Sequence, residues 1–109
     1  MAAGGGYTTV EDLFRFANAV TNRTLLNAHY TELLTTGKVD VMMGKYAYGF
    51  VDRTTDGVRS VGHGGGAPGM NGDLLILPES GYVVAVLANR DPPAAQGVSE
   101  FVGNRLPTR

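Results

Sequence analysis

Two apolar segments joined by a short turn constrain the fold of this chain more than any other feature of its sequence. Residues 73–78 and 82–89 are rich in Leu, Ile and Val, and only Glu79, Ser80 and Gly81 lie between them. Apolar runs of this length bounded by turn residues are typical of strands, and so short a connection joins antiparallel neighbours. The sequence therefore predicts a β-hairpin here, within an antiparallel sheet.

A second predicted hairpin precedes the first. An Asp-Gly turn at 56–57 separates residues 45–53 from residues 58–61, which are expected to pair back on them. We expect loops at 38–44 and at 63–69, so the sheet has about four strands. The first strand of this hairpin is predicted to turn one aromatic face into the core, because aromatic residues alternate along it: Tyr46, Tyr48 and Phe50.

Three segments predict helices. Residues 9–21 follow a capping box formed by Thr8 and Glu11, residues 27–36 begin with an Asn as N-cap, and residues 92–106 begin with two prolines. Hairpin connections make the sheet antiparallel, and the helices must cover a face of it. We therefore predict a single α+β domain over residues 1–109, with N-terminal helices and a C-terminal helix packed on the sheet. The first helix has apolar residues at helical spacing: Val10, Leu13, Phe14, Ala17 and Val20.

Composition excludes several functional classes. With a formal charge of −1, the chain lacks the positive field that attracts nucleic acid, so nucleic acid is not an expected partner. No apolar run approaches the roughly 20 residues that span a bilayer, so a membrane is not an expected partner either. The absence of Cys removes disulfides and thiolate chemistry. With His29 and His63 as the two histidines, a multi-histidine metal site is disfavoured. We expect no metal and no cofactor, and the sequence leaves the cellular compartment open.

The densest chemical signal is His63, which follows a predicted strand and is itself followed by Gly64, Gly65 and Gly66. Glycines let the backbone approach a ligand and point its amides into open space, where they can stabilise a developing oxyanion. A neighbouring histidine can donate a hydrogen bond or a positive charge. A sharp turn that carries a surface histidine explains the same pattern equally well.

Three alternative motifs fit less well. Gly64, Gly66 and Gly69 match the spacing of a dinucleotide fingerprint, but that fingerprint opens a helix, whereas Pro68 and a predicted strand follow here. A His-Gly-Gly-Gly string also occurs in the oxyanion motif of α/β-hydrolases, yet the chain lacks their Gly-x-Ser-x-Gly elbow. Thr35 and Lys38 have the spacing of a Ser/Lys pair, but they lie where a predicted helix ends.

Five blocks of the sequence resemble the C-terminal third of the serine β-lactamase-like family, which includes class C β-lactamases, esterases, D-amino-acid peptidases and penicillin-binding proteins. The resemblance keeps the order and spacing of the blocks over nearly all 109 residues, and it implies an antiparallel sheet flanked by helices. The blocks are residues 3–16, 48–50, 62–69, 75–81 and 84–89.

The resemblance also implies roles for the glycine-rich segment. The family's third active-site motif, Lys-Thr-Gly or His-x-Gly, lies on a strand that lines the cleft, and His63, Gly64 and Gly65 occupy that position. It implies that these three residues bind substrate, with His63 holding a substrate carboxylate or managing a proton. It further implies that the amide of Gly66 belongs to the oxyanion hole.

The chain departs from the family at the nucleophile. Neither Ser-x-x-Lys nor Tyr-x-Asn occurs in it, since Ser60, Ser80 and Ser99 have no Lys three residues on. An acyl-enzyme mechanism needs an activated nucleophile. We therefore expect the C-terminal part of a hydrolase of β-lactams, esters or D-amino-acid peptides, inactive as an isolated chain, with the missing N-terminal half of that hydrolase as a candidate partner.

The alternative hypothesis is a non-catalytic module that associates with itself. Without the family's N-terminal strands, one edge of the sheet would be left open, and open edges recruit other strands. The sequence therefore predicts a homo-oligomer that forms through this edge.

Overall fold

The computed structural model describes residues 3–108 of the chain, which contain three helices and six strands. The strands form one antiparallel sheet in sequence order. The predicted α+β class and the placement of the helices are confirmed, whereas the sheet has six strands rather than about four. The elements are α1 (Val10–Thr21), α2 (Ala28–Thr35), β1 (Val39–Val41), β2 (Gly44–Tyr46), β3 (Val51–Thr55), β4 (Val58–Ala67), β5 (Met70–Leu77), β6 (Tyr82–Ala88) and α3 (Ala94–Gly103).

The first two strands correct the prediction for residues 38–53. The expected loop at 38–44 contains β1 and the start of β2, which pair as a small hairpin. The expected single strand is interrupted at residues 47–50, where the Ala47 N–H donates to the Phe50 carbonyl and Gly49 takes a positive φ of 83°. This turn breaks the side-chain alternation, so Phe50 is buried while Tyr48 is exposed, and the prediction of one aromatic face was wrong.

The glycine-rich segment is mainly strand, which corrects the loop predicted at 63–69. Residues 63–67 continue β4, and each is paired with β5, from His63 opposite Leu74 to Ala67 opposite Met70. The reversal is confined to residues 68–69, where Gly69 has a φ of 77° that L side chains rarely adopt. Backbone pairing to β5 therefore overrides the low strand propensity of the glycines.

The two faces of the sheet pack against different helices. Side chains alternate along a strand, so β4 and β5 direct one set of apolar residues towards α1 and the other towards α3. The helix α3 packs on β5 and β6 and buries Ala95 and Ser99 against them. The main core lies on the opposite face and consists of Ala17, Val20, Ala47, Phe50, Val61, Leu74 and Ile76.

The helix boundaries differ from the predictions by a few residues. The N-cap of α1 is Thr9, whose hydroxyl accepts from the Asp12 N–H, rather than the predicted Thr8. The predicted N-cap of α2 is confirmed, because the side chain of Asn27 accepts from the Tyr30 N–H. The last helix is shorter than the predicted range 92–106 and begins only after the two prolines.

Among residues 3–108, no helix combines the length and the apolar character that crossing a bilayer requires.

An ion pair attaches the C-terminal end of α2 to the sheet. Asp52 on β3 accepts from Arg59 Nε on β4 at 2.9 Å and from the Gly37 N–H at 2.9 Å. Arg59 also donates to the carbonyl of Thr35, the last residue of α2. Partial burial raises the pKa of Asp52, but the hydrogen bonds from Arg59 and Gly37 and the charges of Arg59 and Lys38 outweigh it, so the net pKa is lowered.

This lowered pKa predicts acid sensitivity. A carboxyl with a depressed pKa in the folded state stabilises the fold above its unfolded pKa, near 3.8, and that stabilisation is lost as the pH falls through the folded pKa. Urea unfolding of Asp52→Asn should therefore show lower stability than the wild type at pH 7 and a flatter loss of stability below about pH 4. The control is Asp40→Asn, since the Asp40 side chain is 90% exposed. An unchanged pH slope in Asp52→Asn would contradict the assignment.

Candidate functional site

The site is built on a length of β4 that has a strand partner on one side only. Val51, the first residue of β3, pairs with Gly62, whereas pairing with β5 continues to Ala67. Residues 63–67 therefore extend beyond β3, and we call the side of this segment that faces away from β5 the open edge. Among the described residues, no strand pairs with it.

The register determines which backbone groups point to the open edge. Two-residue turns at 56–57 and 68–69 close the hairpins on either side of β4, and the residues that flank such turns exchange hydrogen bonds with each other. Alternate residues of a strand then direct their N–H and C=O groups to opposite neighbours. Gly65 accordingly faces β5, whereas Gly64 and Gly66 face the open edge.

His63 begins this segment and is exposed. Its Nδ1 lies 2.5 Å from the carbonyl oxygen of Gly64, one of the groups at the open edge. A carbonyl only accepts hydrogen bonds, so Nδ1 carries the proton. The other ring nitrogen, Nε2, lies 3.0 Å from the hydroxyl oxygen of Tyr46.

Tyr46 is a site residue that sequence reasoning placed in the core. It is the last residue of β2, and its ring meets the imidazole edge-on, with 5.7 Å between centroids and 82° between planes. The alternation of residues along one strand could not predict this contact, since the contact depends on the register of three strands. The structure thus adds a phenol to the histidine and glycines that the sequence identified.

Asn71 is a second residue that sequence reasoning missed. Its side chain is 4% exposed, and it donates to the Gly65 carbonyl at 2.7 Å and accepts from the Ala95 N–H at 2.6 Å. The Gly65 carbonyl and the Gly66 N–H belong to one planar trans peptide and point in opposite directions. By holding the carbonyl on the β5 side, Asn71 keeps the Gly66 N–H directed to the open edge.

A cavity of about 370 Å³ adjoins this segment. Its wall includes the charged side chains Arg53 and Asp73, and Pro92 and Gln96 contribute from the start of α3 and the loop before it. The Oε1 atom of Gln96 is buried and accepts no hydrogen bond from the described residues. The cavity has the size of a small-molecule site, with backbone and side-chain polar groups among its lining atoms.

The arrangement suits an elongated ligand that carries negative charge. Residues 63 and 66 are separated by about 10 Å along an extended strand, so a ligand must be extended to reach both. An imidazole at one end can bind an anionic group or exchange a proton, and a directed amide at the other can stabilise an oxyanion. The structure therefore places the backbone groups of Gly64 and Gly66 on the open edge and the His63 imidazole against the Gly64 carbonyl, with Gly65 turned towards β5.

The alternative motifs do not have the structural context they require. The glycines of the apparent dinucleotide fingerprint are followed by strand β5, not by a helix. The sheet is antiparallel throughout the described residues, unlike that of α/β-hydrolases. Thr35 is buried and donates to the Thr31 carbonyl, while Lys38 donates to the carbonyls of Leu33 and Thr36 at the end of α2. Structural roles thus account for these residues.

Comparison with known proteins gives a consistent result. The family model described as Beta-lactamase matches residues 1–106. The chain is similar to the crystal structure of a penicillin-binding protein from Bacillus halodurans, with 30% sequence identity and a TM-score of 0.85. The match covers 94% of this chain and 32% of that one, so the chain spans about a third of its length. No curated protein matches.

The glycines of β4 predict a stability contrast. A Cβ on Gly62 would overlap the carbonyl oxygen of Leu74, whereas a Cβ on Gly65 would meet no atom within 4 Å. Because a backbone atom cannot move aside easily, Gly62→Ala should lower the free energy of unfolding by about 3 kcal/mol. Gly65→Ala should change it by less than about 1 kcal/mol. Thermal unfolding of the two variants checks this, and equal destabilisation would show that the β4–β5 register is wrong.

Proposed function

Because the chain belongs to the β-lactamase family, we propose that it is the C-terminal part of a serine hydrolase whose nucleophile lies outside these residues. The substrates would be β-lactams, esters or peptides of D-amino acids. The observation that carries the proposal is the open edge of β4, where the Gly66 N–H has no strand partner among the described residues and the imidazole of His63 contacts the Gly64 carbonyl of the same edge. Such an edge accepts the extended backbone or amide of a substrate as an added strand.

The open edge supplies two functions of acyl transfer. When a serine attacks a carbonyl, negative charge develops on the oxygen, and a fixed backbone N–H at that point contributes about 3 kcal/mol of transition-state stabilisation. The N–H of Gly66 takes this role in the proposal, because Asn71 fixes the peptide that carries it. His63 binds a substrate carboxylate or transfers a proton at the other end.

We propose that the isolated chain does not turn over substrate. Ser99 lies on the sheet-facing side of α3 and is 1% exposed, so its hydroxyl is not accessible to a substrate. The ammonium groups of the two lysines are placed elsewhere, with Lys38 on the carbonyls that end α2 and Lys45 3.8 Å from Asp40. A serine needs an adjacent base to become a nucleophile.

Covalent labelling of the purified protein tests the proposal. We expect no labelling by a fluorescent penicillin and no hydrolysis of nitrocefin or a p-nitrophenyl ester. Turnover that His63→Ala abolishes and His29→Ala preserves would show that the chain carries its own nucleophile. His29 is the matched control because it is the other histidine and lies exposed on α2.

A chimera provides the complementary measurement. The chain replaces the corresponding third of the penicillin-binding protein from Bacillus halodurans, and acylation by fluorescent penicillin is followed over time. His63→Ala in the chimera should slow acylation by at least about 100-fold, the usual effect of losing a proton-transfer group. His29→Ala should leave the rate unchanged, and equal rates in both variants would contradict the site.

The edge strand β6 favours a second candidate function, that of a self-associating module. Within residues 3–108, strand β6 pairs with β5 only, and its seven residues carry no charge. Natural edge strands are usually short, charged or covered, as β1 is short and contains Asp40. We propose that β6 pairs with another strand, either a second copy of β6 or a strand from the N-terminal part of the same hydrolase.

Light scattering at micromolar concentration tests self-association. We expect a homodimer that Leu87→Lys converts to a monomer, because a charge on an exposed edge opposes strand addition. Leu33→Lys is the control, since Leu33 on α2 is 44% exposed and Leu87 on β6 is 42% exposed. A monomeric wild-type chain would contradict self-association through this edge while leaving the hydrolase proposal intact.

A further inference from the structure

Tyr46 and His63 come from strands that are not neighbours, yet their side chains are hydrogen-bonded. Tyr46, Val51 and Gly62 form one row across β2, β3 and β4, and His63 is the next residue along. Backbones two strands apart are separated by about 9.6 Å, so only two long side chains can bridge them. The contact therefore spans the end of β3 at the point where the open edge begins.

We propose that Tyr46 is a positioning residue for His63. Its hydroxyl forms a hydrogen bond with Nε2 and so holds the neutral imidazole in the Nδ1–H tautomer. The carbonyl of Gly64 accepts from Nδ1, and the Tyr46 hydroxyl then donates to Nε2. A histidine in water favours the opposite tautomer, with its proton on Nε2. The two contacts together select the rarer form and fix the ring plane.

The arrangement has a consequence when the ring gains a proton. Both ring nitrogens then donate, and the Tyr46 oxygen accepts from Nε2–H instead of donating to it. The phenol keeps its proton, and its O–H becomes free to donate to another acceptor. Because Tyr46 is 37% exposed and His63 is exposed, that acceptor can be a carboxylate or carbonyl oxygen of a bound substrate.

This role for the phenol rests on the proposed function, whereas the tautomer does not. A substrate carboxylate held at His63 would then also accept from the Tyr46 hydroxyl, with the charge of the imidazolium behind it. Simple packing of the Tyr46 ring against His63 would give the same edge-on contact without selecting a tautomer. The tautomer of His63 therefore distinguishes positioning from packing.

Nitrogen NMR of the 109-residue chain measures the tautomer of His63 directly. Long-range ¹H–¹⁵N correlation spectra are recorded at alkaline pH, in the range where the imidazole signals no longer change with pH. The chain has two histidines, so exposed His29 serves as an internal reference. We expect the His63 spectrum of the wild type to show a protonated Nδ1 and an unprotonated Nε2, and that of His29 to show the ordinary mixture.

Two matched variants complete the test. Tyr46→Phe keeps the ring and removes the hydroxyl, so His63 should shift towards the Nε2–H form. Tyr48→Phe removes a hydroxyl from the more exposed neighbouring tyrosine and should leave His63 unchanged. A His63 spectrum that matches His29 in the wild type, or one that Tyr46→Phe does not alter, would overturn the proposal. Because no substrate is present, a failure here is separate from a failure of the hydrolase assignment.

Discussion

The pairing of β4 with β5 is the interaction on which the rest of the structure depends. It runs without interruption from Val61 opposite Ile76 to Ala67 opposite Met70. One part of this ladder places Val61, Leu74 and Ile76 in the core, and the other part holds the glycines extended. Because a slip of one residue would exchange the two faces, the same register that buries the core also directs the Gly66 N–H outward.

Much of the fold could be predicted from residues whose local pattern agrees with their final packing. The apolar runs of β5 and β6 and the Asp-Gly turn before β4 predicted hairpins that the structure contains. The glycines of β4 were misread as a loop, because low strand propensity is a local property and pairing with β5 is not. Similarly, the alternation of Tyr46, Tyr48 and Phe50 concealed the turn that divides β2 from β3.

The sequence indicated those candidate site residues that lie in one contiguous motif. His63 and Gly66 lie in one short segment, so their placement on one strand could be inferred. Tyr46 and Asn71 reach the site through contacts across strands, and no spacing within the sequence reveals them. A contiguous motif therefore predicts which strand carries the candidate site better than it predicts the side chains that orient that strand.

The open edge of β4 and the edge strand β6 differ in chemistry, and this difference separates the two proposed kinds of partner. The open edge of β4 is short, carries three successive glycines, and has a histidine and a phenol beside it, which suits a small polar ligand. The edge of β6 is seven apolar or aromatic residues long, which suits another strand. A substrate needs exposed polar groups that are fixed in direction, whereas a protein partner mainly needs apolar area and a straight backbone. Both requirements are met on one sheet because the β4–β5 ladder lies between the two edges and keeps each in place.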